Sequence, residues 1–182
     1  MGETLKRAIS GAVYVLLLLA SILYSTESFL ILFGIFLIIS IYEFCNLVQV
    51  NKTIPLISGT SIYVLIILIS NYYNLKAEDI QLLDIVLLAI TLLISIKCVV
   101  FLFDNSLQKI SNSSKYIYLL GYITLPFIFI TKISFGIKNY NPKIIIGLLI
   151  LIWTNDTFAY IVGKSIGKHK LFEKISPKKT IE

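Results

Sequence analysis

Long, unbroken runs of apolar residues separated by short polar stretches occupy most of the chain between Ala8 and Val162. The runs are Ala8–Tyr24, Phe29–Val48, Ile54–Tyr72, Ile80–Phe103, Tyr116–Ile133 and Ile144–Val162. Each comes close to the ~20 residues that a helix needs to cross the hydrocarbon of a bilayer. Apolar positions are continuous within a run rather than alternating, which argues against a transmembrane barrel. A helix satisfies its own backbone N–H and C=O groups, as lipid demands. The pattern predicts an all-α, polytopic membrane helix bundle with about six transmembrane helices. Lys6 and Arg7 precede the first run as they would in a signal peptide. No convincing small-residue cleavage site follows, and a second run begins at once, so the segment reads as a retained helix. Asn112–Ser114 and Lys138–Pro142 read as loop tips. Pro126 predicts a kink in the fifth span.

Composition agrees with the pattern. The 182 residues are 57% apolar and 14% charged, against about half and a quarter in soluble domains. Cys45 and Cys98 both lie in apolar runs without a partner at metal or redox spacing, and read as small buried hydrophobes. His169 is the sole histidine, which makes a zinc enzyme a poor reading.

Charge changes the picture in two ways. The net charge of +6 is not spread as a nucleic-acid footprint: six lysines fall between Lys164 and Lys179, beside the last apolar run. That is a juxtamembrane basic segment, suited to anionic lipid or to an anionic substrate. The remaining basic residues set orientation by the positive-inside rule. With a cytosolic N-terminus, Lys6, Arg7, Lys52, Lys109, Lys115 and the six tail lysines lie inside; Lys76, Lys132, Lys138 and Lys143 lie outside. Both termini are therefore expected in the cytosol. The other informative charges are those inside the runs, where an aspartate at a helix centre costs ~3 kcal/mol. Asp156 is the strongest candidate for function. It follows Trp153-Thr154-Asn155 and shares a helix face with Tyr160 four residues on. Glu43 is a weaker candidate for the same cavity. Asp84 reads as interfacial, and Lys97 as a snorkelling or paired lysine.

The chemistry concentrates in residues 155–182. A helix is expected to end near Gly163, a good C-terminal breaker. Lys164, Lys168 and Lys170 crowd one region, and Ser176-Pro177 opens a turn before Lys178-Lys179-Thr180. Lysines follow phosphate oxygens as mobile point charges, and glycine-rich backbone offers an anion nest. A plain basic loop that fixes topology is the competing reading of the same composition. Gly163-Lys164-Ser165 is not a Walker A loop, because Phe158 stands where that motif needs its first glycine.

The run Asp156, Thr157, Ala159, Tyr160, Gly163, Lys164, Gly167, Lys168, Leu171, Ile175, Ser176, Pro177, Lys178, Lys179, Thr180 and Glu182 resembles, in order and spacing, the conserved segment of the phosphatidate cytidylyltransferases. Lys6-Arg7 before Ile9-Ser10-Gly11, and Tyr42-Glu43-Phe44, add weaker likeness. The resemblance implies a nucleotidyltransferase that moves CMP from CTP to phosphatidic acid, giving CDP-diacylglycerol and pyrophosphate, with Mg²⁺ as cofactor. It implies Asp156, Lys178 and Lys179 as catalytic residues. Tyr160, Lys164, Lys168, Ser176 and Thr180 would bind substrate, and Asp156, with Glu182 more weakly, would hold metal. The bilayer and a second copy of the chain are the implied partners, without nucleic acid. The implied location is the bacterial inner membrane, with the motif facing the cytosol. Residues 1–152 then form the transmembrane region, and residues 153–182 the end of the sixth span plus the phosphate-binding motif. The family's chains continue with a second, aspartate-bearing signature, so the likeness covers the N-terminal two-thirds of such an enzyme and implies a truncated form. A polyprenol kinase or another CTP-dependent lipid enzyme, and a non-catalytic membrane fragment, are the alternative readings.

Overall fold

The computed structural model describes residues 2–72, 77–103, 111–135, 139–173 and 175–182. Lys76, Lys109, Lys138 and Lys174, used above for orientation and for the basic tail, lie outside the described residues. The chain folds as two units, Met1–Tyr140 and Asn141–Glu182. The helices are α1 (Glu3–Tyr24), α2 (Thr26–Val48), α3 (Thr53–Tyr72), α4 (Ala77–Phe103), α5 (Asn112–Leu119), α6 (Leu125–Ile133) and α7 (Pro142–Ile166). A π-helical turn, Leu120–Thr124, joins α5 to α6, so the two form one span. Five helices are long and apolar enough to cross a membrane, and the apolar part of α1, Ala8–Tyr24, is shorter. This is an all-α polytopic bundle, and the protein is an integral membrane protein.

Within the first unit, polar groups close the contacts that apolar packing begins. α1 turns into α2 at Ser25, whose hydroxyl accepts the Ser28 N–H while the Ser28 hydroxyl accepts the Ser25 N–H. This reciprocal cap satisfies two donors that a helix start leaves orphaned. The Ser28 hydroxyl also donates to the Ser21 carbonyl at 2.6 Å. Phe29, Phe33, Leu37, Ile41 and Cys45 form the buried stripe of α2. The Tyr63 hydroxyl of α3 donates to the Leu30 carbonyl of α2 at 2.8 Å, and the Lys115 ammonium of α5 donates to the Val48 carbonyl at the end of α2 at 2.7 Å.

Three expectations change here. Asn112–Ser114 is the first turn of α5, not a loop tip, because the Ser111 side chain accepts the Ser114 N–H as an N-cap. Lys132 is not a loop cation. It sits in the last turn of α6, 2.6 Å from an Asp84 carboxylate oxygen of α4, and donates to the Ser70 hydroxyl of α3. Asp84 is thereby paired across helices rather than merely interfacial. The Asp84 contact is a charge pair and not a well-aligned hydrogen bond. Lys97, by contrast, is exposed and has no acidic partner among the described residues.

Pro126 disturbs its span as expected, but through a widened turn. Proline lacks an N–H and crowds the carbonyl four residues back. The preceding turn relaxes so that the Leu125 N–H reaches the Leu120 carbonyl, five residues away. The same turn brings Gly121 against Ile94 of α4, where an added Cβ would lie 2.6 Å from Ile94 Cγ2 and 2.7 Å from its Cβ. Gly121→Val is therefore expected to force α4 and this span apart. The expected loss is ~1–3 kcal/mol of first-unit stability, measured as a lowered thermal midpoint in detergent.

Candidate functional site

The second unit contains α7 and a short antiparallel hairpin, β1 (Lys170–Phe172) and β2 (Ser176–Thr180). α7 starts at Pro142, with the Asn141 side chain accepting the Lys143 N–H. It continues through Gly163 to Ile166, four residues beyond the expected end of the span. Gly167, not Gly163, is the break: its ψ of 120° takes the chain out of the helix. Asp156 therefore lies ten residues before the last helical residue, ~15 Å along the axis at 1.5 Å per residue, and is deeper in the helix than the sequence suggested.

Along a helix of 3.6 residues per turn, Asp156, Tyr160, Gly163 and Gly167 fall on one face. The Lys164 ammonium lies 5.6 Å from the centre of the Tyr160 ring, within cation–π range. Asp156 is exposed, with no hydrogen-bond or ion-pair partner among the described residues.

The hairpin carries the other cations. Lys170 pairs with Thr180 and Phe172 with Ser176 in the ladder. The Lys170 ammonium donates to the Pro177 carbonyl at 2.6 Å. The ladder is irregular between these pairs, two steps of β1 facing four of β2. Thr180 packs on the end of α7. A Cβ at Gly163 would sit 3.3 Å from the Thr180 hydroxyl oxygen, and one at Gly167 would sit 2.6 Å from it. Strand rise limits the Cα separation of Lys178 and Thr180 to ~7 Å. Lys178 and Lys179 are thus held near the turn that bears Lys164 and Lys168. Lys164, Lys168, Lys178 and Lys179 are all exposed, and none has an acidic partner among the described residues.

Glu182 closes the unit. Its carboxylate accepts the backbone N–H of Lys168 at 3.2 Å and that of His169 at 3.4 Å, and lies 2.7 Å from His169 Nδ1. The Ile181 N–H returns to the His169 carbonyl at 2.9 Å. Its own backbone N–H, then the His169 ring, then the N–H groups of Lys168 and His169 push the Glu182 carboxyl down to about 2 from 4.5. A carboxyl lowered on folding contributes stability above its ordinary value and loses it as pH falls through the lowered one. The hold on Lys168 and His169 is thus expected to be intact above pH 5 and to fail between about pH 4.5 and 2. Carboxyl and amide NMR shifts at Glu182, Lys168 and His169 would follow it.

The structure thus brings Lys164, Lys168, Ser176, Lys178, Lys179, Thr180 and Glu182 into one folded element. Asp156 and Tyr160 lie on the same helix face as the glycines that seat Thr180. Glu43 belongs to the first unit. His169, set aside in sequence as a lone histidine, is part of the element through Glu182; nothing short of the hairpin fold signals that pairing. Among the described residues, no group of three or more His, Cys, Asp or Glu side chains gathers as a metal site.

Comparison with known proteins adds independent information. A protein from Bacillus subtilis (strain 168) named phosphatidate cytidylyltransferase is 27% identical over 192 residues, covering 100% of this chain and 66% of the relative. Proteins of the same name from Aquifex aeolicus (strain VF5) and Staphylococcus aureus (strain COL) are 39% and 36% identical over 74 and 63 residues. Those matches cover 41% and 35% of this chain, and 27% and 23% of the relatives. The chain thus spans just under two thirds of the Bacillus relative's length. No solved structure matches the chain. The model of the cytidylyltransferase family matches residues 5–182, and on that near-complete match the chain belongs to the cytidylyltransferase family.

Proposed function

We propose that the chain serves phosphatidate cytidylyltransfer: CTP and phosphatidic acid give CDP-diacylglycerol and pyrophosphate. One observation carries this reading. Four exposed lysines, with no acidic partner among the described residues, lie on a folded hairpin and on the helix end that it packs against. Exposed cations fixed on one folded element suit a polyanion, whose oxygens lysines follow as mobile point charges. A loop that only fixed topology would need the lysines but not the fold.

In the proposed reaction a phosphate oxygen of phosphatidic acid attacks the α-phosphorus of CTP. A new P–O–P bond forms, the bond to the β-phosphate oxygen breaks, and pyrophosphate leaves with the electron pair. Negative charge grows on the phosphoryl oxygens, so catalysis is mainly positioning and neutralisation. Lys178 and Lys179 neutralise the reacting phosphates, and Lys164 and Lys168 hold the triphosphate. The Ser176 hydroxyl donates to a phosphate oxygen, and Tyr160 shapes the pocket wall while fixing Lys164.

The donor set suits Mg²⁺ in one form only. Mg²⁺ commonly takes one or two carboxylates and completes its shell with water and substrate phosphates. Asp156, exposed and unpartnered among the described residues, fits as such an anchor. Glu182 does not, since its carboxylate is engaged by Lys168 and His169. When bound, the ion would neutralise phosphate oxygens and the departing pyrophosphate. Phosphatidic acid lies in the bilayer and CTP in the cytosol. The proposal therefore includes a bacterial cytoplasmic membrane, both described ends on the cytosolic side, and a homodimer as the assembled form.

The direct test incubates the purified chain, in liposomes containing phosphatidic acid, with CTP labelled at the α-phosphate and Mg²⁺. Label is expected in CDP-diacylglycerol with release of pyrophosphate. No labelled lipid, or label released as CDP together with a phosphorylated polyprenol when polyprenol is added to the liposomes, would overturn the proposal.

A further inference from the structure

We infer that Thr180 and Glu182 are positioning residues, two clamps that fasten the lysine-bearing strand β2 to the end of α7. Gly163 and Gly167 are small so that the first clamp can close. The inference rests on the reading of the hairpin as a polyphosphate grip, and it gives Thr180 a task other than touching substrate.

The first clamp is a shape fit. Gly163 and Gly167 are four residues apart and leave a bare patch on one face of the helix end. Thr180 fills it. A Cβ at Gly167 would lie 2.6 Å from the Thr180 hydroxyl oxygen and 2.8 Å from its methyl carbon, and would overlap the Gly163 carbonyl oxygen. The Thr180 hydroxyl oxygen is shut off from solvent and has no hydrogen-bond partner among the described residues. A hydroxyl meant for substrate would face the open side of the strand. This one is turned into the helix, where its bulk, with that of the methyl, is what the contact uses.

The second clamp is polar. Once the chain leaves α7 at Gly167, the Glu182 carboxylate accepts the N–H groups of both Lys168 and His169. Only Ile181 separates Thr180 from Glu182, so the clamps grip the same end of β2, one on each side of the Gly167 break. The Ile181 N–H to the His169 carbonyl lies between them. Strand β2 is poorly suited to stand alone: five residues, with a proline and two lysines. Its order, and with it the placing of Lys178 and Lys179 beside Lys164 and Lys168, depends on these anchors.

The test uses the full chain in lipid nanodiscs and follows amide hydrogen exchange and CTP binding together. Gly163→Val fills the groove and should speed exchange of the amides of Ser176, Lys178, Lys179 and Thr180 at least tenfold, while α2 and α3 exchange as before. Adding Thr180→Ala removes the displaced group, and should return protection to within about threefold of the parent. A role of Gly163 in helix geometry alone would not be rescued in this way. Glu182→Gln should speed exchange at Lys168 and His169 by a similar factor, without any bulky replacement. CTP affinity should fall and recover in step with β2 protection. Unchanged exchange in both Gly163→Val and Glu182→Gln, or a double variant no better than Gly163→Val, overturns the inference. Exchange that follows the expected pattern in a chain that binds no CTP supports the clamps and removes the phosphate reading instead.

Discussion

Replacing Lys178 and Lys179 together by alanine should lower CDP-diacylglycerol synthesis by between about 10² and 10⁴-fold, with membrane insertion and helix content unchanged. A hydrogen bond to a charged group is worth about 1.5–3 kcal/mol, and 1.36 kcal/mol is a factor of ten in rate. Two such contacts, lost from a transition state that gathers charge, account for the range. Both lysines are exposed and neither is paired with an acid among the described residues, so their removal breaks no ion pair that holds the fold. Lys143→Ala, which removes the same kind of charge from the other end of α7, should leave synthesis within about twofold. Arginine at both positions should restore part of the rate, since it keeps the charge but replaces a compact ammonium with a planar fork. A set of liposome rate assays checks all three. Equal losses in Lys143→Ala and in the double variant would mean that only bulk charge matters.

Asp156→Asn should have opposite effects on stability and on activity. An aspartate well inside a membrane helix costs about 2.5–3.5 kcal/mol on insertion scales, so an isosteric neutral residue should leave the thermal midpoint unchanged or raise it. Synthesis should nevertheless fall by ~10²-fold or more, because a carboxylate that anchors a divalent cation contributes several kcal/mol of charge stabilisation. The Mg²⁺ concentration giving half-maximal rate should rise with it. Parallel melting curves and Mg²⁺ titrations separate this from a packing role, in which the midpoint would fall and the Mg²⁺ dependence would not move.

Much of this architecture is written in hydropathy, because lipid leaves the backbone no alternative to helix. The second apolar run was bounded at Phe29 and Val48, and α2 runs from Thr26 to Val48; the three added residues are the cap that Ser25 and Ser28 build. Where side chains act across helices, the pattern is silent. Lys132 reads as a loop cation because it ends an apolar run, and only the packing of α3, α4 and α6 reveals Ser70 and Asp84 as its partners. Pro126 announces a disturbance, but only the fold shows that it takes the form of a π turn with Gly121 against Ile94.

The site divides in the same way. The types and spacing of Asp156, Lys164, Lys168, Lys178 and Lys179 suit phosphate but also a plain basic loop that fixes topology, and the resemblance of the whole run to a family decides between them. The hairpin did not show itself, since Ser-Pro-Lys-Lys-Thr has neither the β-branched content nor the alternation of a strand. Its pairing comes from contacts at its far end, Thr180 on the glycines and Glu182 on two backbone N–H groups. Gly163 reads as a helix stop because glycine usually ends helices. It stays helical here, and the chain leaves α7 at Gly167 instead.

The central claim is that the clamped lysines grip a triphosphate, and equilibrium binding of CTP to the purified chain tests it most directly. The parent should bind CTP with an affinity that weakens as salt is raised, and Lys178→Gln with Lys179→Gln should bind at least 100-fold more weakly. Equal affinity in parent and variant, at any salt concentration, would contradict it.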